Sequence, residues 1–212
     1  TEKLSSGKTI IMVSHQLDLL KSLCNKGVYL KAGKIKASGS IEDVTEKYIL
    51  DSDTPDHNDL LHRRDRIGSG KVRVITIQAT DFAGKVMPVL QSGQSIIFAV
   101  TLRSAEPVLR NVEIRLDVFD KMGQSWFVLN NNISNGMIES CPGKVVLQCK
   151  VPKLPLSEGT FSMNVSLNVN YEKCDFVQHA FEFKVVRGDF YKTGRLPSYA
   201  RGVLVEYNWD VQ

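Results

Sequence analysis

The spacing of apolar and polar positions changes character near residue 50. Ahead of that point helical and strand-like patterns alternate. Ile10-Ile-Met-Val13 is a continuous apolar run, suited to a strand buried on both faces of a largely parallel sheet, with Ser14 and His15 emerging at its end. Leu17, Leu20 and Cys24, with Leu19 and Leu23, recur on a helical period across Gln16 to Asn25. Val28-Tyr-Leu30 and Lys34-Ile-Lys36 flank Ala32-Gly33, which predicts a short hairpin. Ile41 to Leu50 then reads as a helix with Ser40 as N-cap and Glu42 and Asp43 in the first turn, where the positive helix end favours acidic groups. Residues 51–70 are rich in Asp, Ser, Pro, Asn, His, Arg and Gly. Their acidic first half (Asp51, Asp53, Asp56, Asp59) and basic second half (Arg63, Arg64, Arg66) predict a solvated linker.

From Val72 onward the period becomes two. Ile96, Phe98, Val100 and Leu102 form one apolar face, and Val112, Ile114, Leu116 and Val118 another. Val145, Leu147, Cys149 and Val151 repeat the alternation, followed by Phe161, Met163, Val165, Leu167 and Val169, and by Phe181, Phe183 and Val185. Asp81-Phe-Ala-Gly84, Asp120-Lys-Met-Gly123, Cys141-Pro-Gly143 and Ser157-Glu-Gly159 supply turn chemistry between them. Seven or eight antiparallel strands without intervening helices predict an immunoglobulin-like β-sandwich over residues 71–212, lacking the Cys…Trp…Cys arrangement of an antibody domain. Gly202 to Trp209 also reads as a strand. Tyr199, Tyr207 and Trp209, near the C-terminus, are read as core or dimer contacts.

Composition narrows the function classes. The 212 residues contain 42% hydrophobic side chains but no apolar run approaching the ~18 residues of a membrane span. The chain starts inside a folded motif, so no leader is expected. Net charge is +4, and both signs are scattered evenly, which leaves no basic stripe for nucleic acid. The four cysteines (24, 141, 149, 174) have neither a C-x-x-C pair nor a metal-ligand spacing, so reduced thiols and no metal site are expected. Gly7-Lys8-Thr9 imitates the end of a phosphate loop. Position 2 is Glu where that motif needs Gly, and Lys8-Thr9 precedes a strand rather than opening a helix onto phosphates.

The order Val13-Ser-His15, helix, Val28-Tyr-Leu-Lys-Ala-Gly33-Lys-Ile35-Lys-Ala-Ser-Gly39, then Val44 and Tyr48, resembles the end of an ATP-binding-cassette nucleotide-binding domain. The resemblance implies that residues 1–50 are a truncated α/β fragment of such a domain. It also implies that His15 is the switch histidine sensing the terminal phosphate of ATP, in a parent protein using ATP and magnesium. The phosphate loop and catalytic carboxylate have no counterpart here, so no ATP hydrolysis is expected of this chain alone.

The following segments, in order, resemble the Wzt-type ATPase subunits of bacterial O-antigen exporters. They are Val72-Arg-Val to Asp81-Phe-Ala-Gly84, Ser92-Gly-Gln94, Asp117-Val-Phe-Asp-Lys-Met-Gly123, Asn130-Asn131 and Leu156-Ser-Glu-Gly159. That resemblance implies a cytoplasmic subunit held at the inner membrane by a permease partner and acting as a homodimer. Its β-sandwich would recognise the non-reducing terminus of a surface polysaccharide.

Ser162, Asn164, Ser166, Asn168 and Asn170 alternate with the core set of their strand. They make a ladder of neutral donors and acceptors, the bidirectional partners that sugar hydroxyls require. Tyr171, with Trp126 or Phe127, could supply a flat surface for a pyranose ring, and Arg115 a charged hydrogen bond to an acidic cap. The same pattern also describes an ordinary solvated sheet face. Two other readings stay open: a protein-interaction or dimerisation module using a sheet edge, and a glycosidase. The second requires two convergent carboxylates, whereas Asp81, Asp120, Glu139 and Glu158 lie in or beside predicted turns.

Overall fold

The computed structural model describes residues 11–13, 20–21, 23–31, 33–51, 60–195 and 202–211. The chain divides into a small unit, residues 1–54 together with 122–124, and a large unit, residues 55–121 and 125–212.

In the small unit β1 (Lys26–Lys31) and β2 (Lys34–Ser40) pair antiparallel as the predicted hairpin, with Gly33 in the left-handed region at the turn. Helix α1 (Ile41–Asp51) follows, and the Ser40 hydroxyl accepts from the Asp43 backbone N–H at 3.1 Å, the predicted cap. Ile41 and Val44 are buried, and Tyr29 meets Tyr48 edge to face at 5.2 Å. Ile11 to Val13 form no strand, and Ile11 and Val13 are almost wholly exposed. The parallel sheet that such a run would enter has no counterpart among the described residues. His15 lies outside them.

The large unit is an immunoglobulin-like β-sandwich built from one seven-stranded hydrogen-bonded sheet that bends over itself. Its strands are β3 (Val72–Thr80), β4 (Val89–Gln91), β5 (Ile96–Asp120), β6 (Ser125–Asn130), β7 (Ile138–Val151), β8 (Gly159–Val169) and β9 (Glu172–Val186). A single helical turn, α2 (Asn131–Ser134), separates β6 from β7. The first half of β5 lies between β3 and the end of β7, while its second half pairs with β6 and β8. Beyond β8 come β9 and then β4, which runs parallel to β9 through Val89↔Lys184 and Gln91↔Val186. One parallel pair therefore interrupts the antiparallel set expected from the sequence.

The sequence pattern suggests separate strands over 96–103 and 112–119, but they are two ends of one β5. Its register against β7 slips between Arg103 and Val108, where β5 passes from one layer to the other. Cys141-Pro-Gly143, expected to be a turn, lies inside β7 at this crossing. Gly143 is needed because a Cβ there would stand 1.8 Å from the Glu106 carbonyl oxygen. The core closes between the layers. Phe98 from β5 sits 5.6 Å from Phe183 and 6.3 Å from Phe181 of β9, and Phe161 of β8 stacks on Phe183 at 5.8 Å.

Residues 60–70, part of the expected solvated linker, are folded onto the sandwich. Leu60 is fully buried, Ile67 N–H donates to Phe176 O, and Gly70 N–H donates to Cys174 O, which extends β9 by another short pairing. Arg66 explains the departure. Its basic head faces inward to Asp175 (Nη1 to Oδ2, 3.2 Å) and donates through Nη2 to Leu60 O and Val74 O. Burial pushes the Asp175 carboxyl above its ordinary value, against the Val74 N–H and the Arg66 charge that favour ionisation.

Gly202 to Trp209, expected to be a strand, pairs among the described residues only through a bridge between Val203 and Leu156. Leu204 is buried, Tyr191 meets Tyr207 at 5.3 Å and Lys153 pairs with Glu206, whereas Val205, Tyr207, Trp209 and Val211 remain exposed. Of the two readings of Tyr207 and Trp209, core or dimer contact, their exposure removes the core; Tyr199 lies outside the described residues.

Candidate functional site

The outer surface of β8 is where chemistry can collect, because its inner surface is occupied. Phe161, Met163, Val165, Leu167 and Val169 are all buried, as alternation predicts. Cross-strand register then fixes what stands beside each outward residue. Glu113, Arg115 and Asp117 of β5 oppose Asn168, Ser166 and Asn164 on one side. On the other, Lys173 and Phe176 of β9 oppose Asn168 and Ser166. Directly paired residues share a face, so Asn164, Ser166 and Asn168 form a floor between two rows of larger side chains.

The floor is already engaged in hydrogen bonding. Asn168 Nδ2 donates to Glu113 at 3.1 Å, and Asn130 and Asn132 donate to the same carboxylate from the β6 side at 3.1 and 3.4 Å. Asn164 Oδ1 accepts from the His179 backbone N–H at 2.8 Å, and the Ser162 hydroxyl lies 3.2 Å from His179 Nδ1. These two bonds staple a bulge. Between Met163↔Phe181 and Val165↔Val177, β9 carries two more residues than β8, with His179 in the left-handed region. Arg63 Nη1 secures the same bulge through His179 O at 2.9 Å. Ser162 is buried, and its hydroxyl faces this bulge rather than open solvent.

Asn170 and Tyr171 leave the face altogether. Both have positive φ, 48° and 64°, and form the two-residue turn between β8 and β9, a primed hairpin turn. Asn170 Oδ1 accepts from Asn111 Nδ2 at 3.3 Å, and Tyr171 is exposed at the tip. Arg115 does stand on the face, held by Asp117 at 2.6 Å with half of its side chain exposed. Trp126 and Phe127 are not platforms here. Both pack against the core, Trp126 edge to face on Phe161 at 6.1 Å. The structure thus joins Arg115, Asn164, Ser166 and Asn168, buries Ser162 under the His179 bulge and places Asn170 and Tyr171 at one end.

Four participants escaped the sequence reading: Glu113, Asp117, Phe176 and the bulge residue His179. Glu113 and Asp117 alternate outward along β5 and could have been read from that strand's period. Phe176 also falls outward by the period of Val177, Phe181 and Phe183, since the bulge between 177 and 181 adds two residues and keeps the parity; the slip at Cys174 changes the side of Lys173 instead. No group of three or more His, Cys, Asp or Glu arranged for a metal occurs among the described residues. None of their helices is long and apolar enough to cross a membrane.

With this geometry in view, the family model of the Wzt C-terminal domain matches residues 63–196. The chain belongs to the Wzt C-terminal domain family. A crystal structure of the C-terminal domain of Wzt aligns with a TM-score of 0.56 over 73% of this chain and 96% of that one, at 14% identity, which speaks for the shared fold alone. A 42-residue stretch, 20% of the chain, is 43% identical to the teichoic acids export ATP-binding protein TagH of Listeria monocytogenes serotype 4b and 40% identical to that of Bacillus anthracis. The matched stretch spans only 12% and 8% of the length of those two curated relatives.

Within this Wzt-family sandwich, Glu113 gives the face a measurable pH signature. Hydrogen bonds from Asn168 first, then Asn130, hold its carboxyl below the ordinary value of 4.5. A depressed folded-state pKa contributes stability that is present above the unfolded value and lost as pH falls through the folded one. Between about pH 6 and pH 3 the thermal midpoint of the native protein should therefore fall more than that of Glu113→Gln. Parallel pH profiles would show that the three amides do not hold the carboxylate.

Proposed function

We propose that this chain is the C-terminal part of the ATP-binding subunit of an ABC-type polysaccharide exporter, and that the outer face of β5, β8 and β9 holds the non-reducing terminus of the glycan. Family membership and the stretch shared with teichoic acid export ATP-binding proteins support the first half. The observation that carries the second is the registered floor of Asn164, Ser166 and Asn168 between Arg115–Asp117 and Phe176, an amphipathic surface of neutral amides and hydroxyls beside one aromatic ring. In the parent protein, ATP and magnesium would act at a nucleotide site containing His15, a membrane-spanning permease would be the partner, and the subunit would sit on the cytoplasmic side of the inner membrane.

Ser166→Tyr tests the site. The side chain faces outward, so the bulkier ring should fill the floor without entering the core. Affinity for an oligosaccharide retained by the native chain should drop at least tenfold with the fold unchanged by circular dichroism. Unchanged affinity would place the site elsewhere.

A second reading, assembly, is favoured by the C-terminal segment. Val203, Val205, Tyr207, Trp209 and Val211 alternate and are exposed beside a single bridge, the arrangement of a segment that pairs with another chain's sheet edge. The proposed occupant is the same segment of a second copy, giving a homodimer. Sedimentation at tens of micromolar should show a dimer that deletion of residues 203–211 converts to monomer; a monomer before and after deletion would contradict it.

A further inference from the structure

Taking the glycan-binding reading as its base, we infer that Phe176 is the stacking platform of the face and that the face selects an uncharged sugar terminus over a phosphodiester chain. Ser166 lies directly between Phe176 on β9 and Arg115 on β5. Adjacent strands are about 4.8 Å apart, so the two large side chains flank a small one across roughly 9.6 Å. That leaves a shallow trough along β8, wide enough for a single sugar ring. Phe176 is only half-buried, and the C–H face of a pyranose is the complement of such a ring. Lys173 Nζ stands 5.7 Å from the ring centroid, the outer limit of cation–π attraction, so a stacked sugar can displace it.

The charges around the trough balance, Arg115 and Lys173 against Glu113 and Asp117, and all but Lys173 are engaged in hydrogen bonds or an ion pair. Arg115 is committed to Asp117 through two nitrogens, Nε at 2.8 Å and Nη2 at 2.6 Å. Glu113 is committed to Asn168, Asn130 and Asn132. A phosphodiester entering here would face both carboxylates, and to gain a cation it would have to break the Arg115–Asp117 pair or draw Lys173 away from the Phe176 ring. A neutral hydroxyl can instead accept from an Asn amide or donate to a carboxylate oxygen while every ion pair stays intact. The trough is thus unlike an anion cradle, which converges several uncommitted Arg or Lys and backbone N–H groups with no carboxylate beside them.

The test applies the full chain to an array of neutral mannose, galactose, rhamnose and N-acetylglucosamine oligosaccharides beside glycerol-phosphate and ribitol-phosphate oligomers. Each retained compound is then titrated against native protein, Phe176→Ala and Phe176→Trp. At least one neutral oligosaccharide should be retained and the phosphate oligomers not. Phe176→Ala should weaken binding at least tenfold, Phe176→Trp should preserve it, and raising salt from 50 to 500 mM should change affinity less than threefold. Retention of phosphate oligomers alone, with steep salt dependence, overturns the selectivity. A neutral ligand whose affinity survives Phe176→Ala while Ser166→Tyr abolishes it overturns the role of Phe176 but not the glycan face. Retention of nothing overturns the base reading together with this one.

Discussion

Asp175→Ala is expected to remove about 3–5 kcal/mol from the stability of the sandwich, measured by urea denaturation at neutral pH. Asp175 Oδ2 accepts from the Val74 N–H at 2.8 Å and faces Arg66 Nη1 at 3.2 Å, and the Arg66 side chain is only 8% exposed. Truncation to alanine leaves a guanidinium buried without its counterion and the Val74 N–H without its acceptor. Arg66→Met should cost a comparable amount, because it strands the carboxylate and also removes the donors that hold Leu60 O and Val74 O. Replacing both as Arg66→Met with Asp175→Leu should cost less than the two single changes together, since an apolar pair leaves no lone charge inside. Single variants within 1 kcal/mol of the native protein would mean that water reaches the pair. The pair bears on the proposed glycan face because it fastens residues 60–70 along β9, the strand that carries Phe176.

Gly143→Ala is the second large effect. Position 143 has an ordinary negative-φ or extended backbone, so the cost is steric rather than conformational. The new Cβ would meet the Glu106 carbonyl oxygen at 1.8 Å and its carbon at 3.0 Å, and a backbone carbonyl cannot swing aside as a flexible side chain can. Val108↔Pro142 and Arg103↔Lys144 hold the two strands on either side of the crossing. Relief would have to come from separating β5 and β7 where both change layers. Overpacking of this kind costs typically 1–3 kcal/mol and more where the neighbour is fixed, so a loss of about 3 kcal/mol is expected. A loss below 0.5 kcal/mol would show that the crossing is looser than this contact implies.

These two positions mark where the sequence stopped being informative. The β8 core was legible because Phe161 to Val169 alternate without a break, and the outward placement of Asn164, Ser166 and Asn168 came with it. The hairpin at Gly33 and the Ser40 cap were legible because each rests on three or four adjacent residues. Arg66 was not. A basic residue in a run of Asp, Ser and Arg looks solvated, and only its distant partner Asp175, a buried acid on β9, turns it inward. Cys141-Pro-Gly143 carries turn residues for another reason, the close crossing of Glu106. Ser162 and Asn164 hydrogen-bond at a bulge whose extra residues on β9 no period can reveal. The C-terminal segment keeps the alternation of a strand yet finds only the Leu156 bridge, because alternation records what a segment can pair with and not whether an edge is offered.

The proposed glycan site is the outer face of β5, β8 and β9, and backbone amide NMR locates binding there most directly. Isotope-labelled chain would be titrated with a neutral oligosaccharide retained on the array. The shifts should concentrate at residues 113–117, 164–168 and 173–179, with residues 203–211 and the turn at 170–171 little moved. Shifts confined to 203–211, to the turn, or to the β3 side of the sandwich would contradict the account.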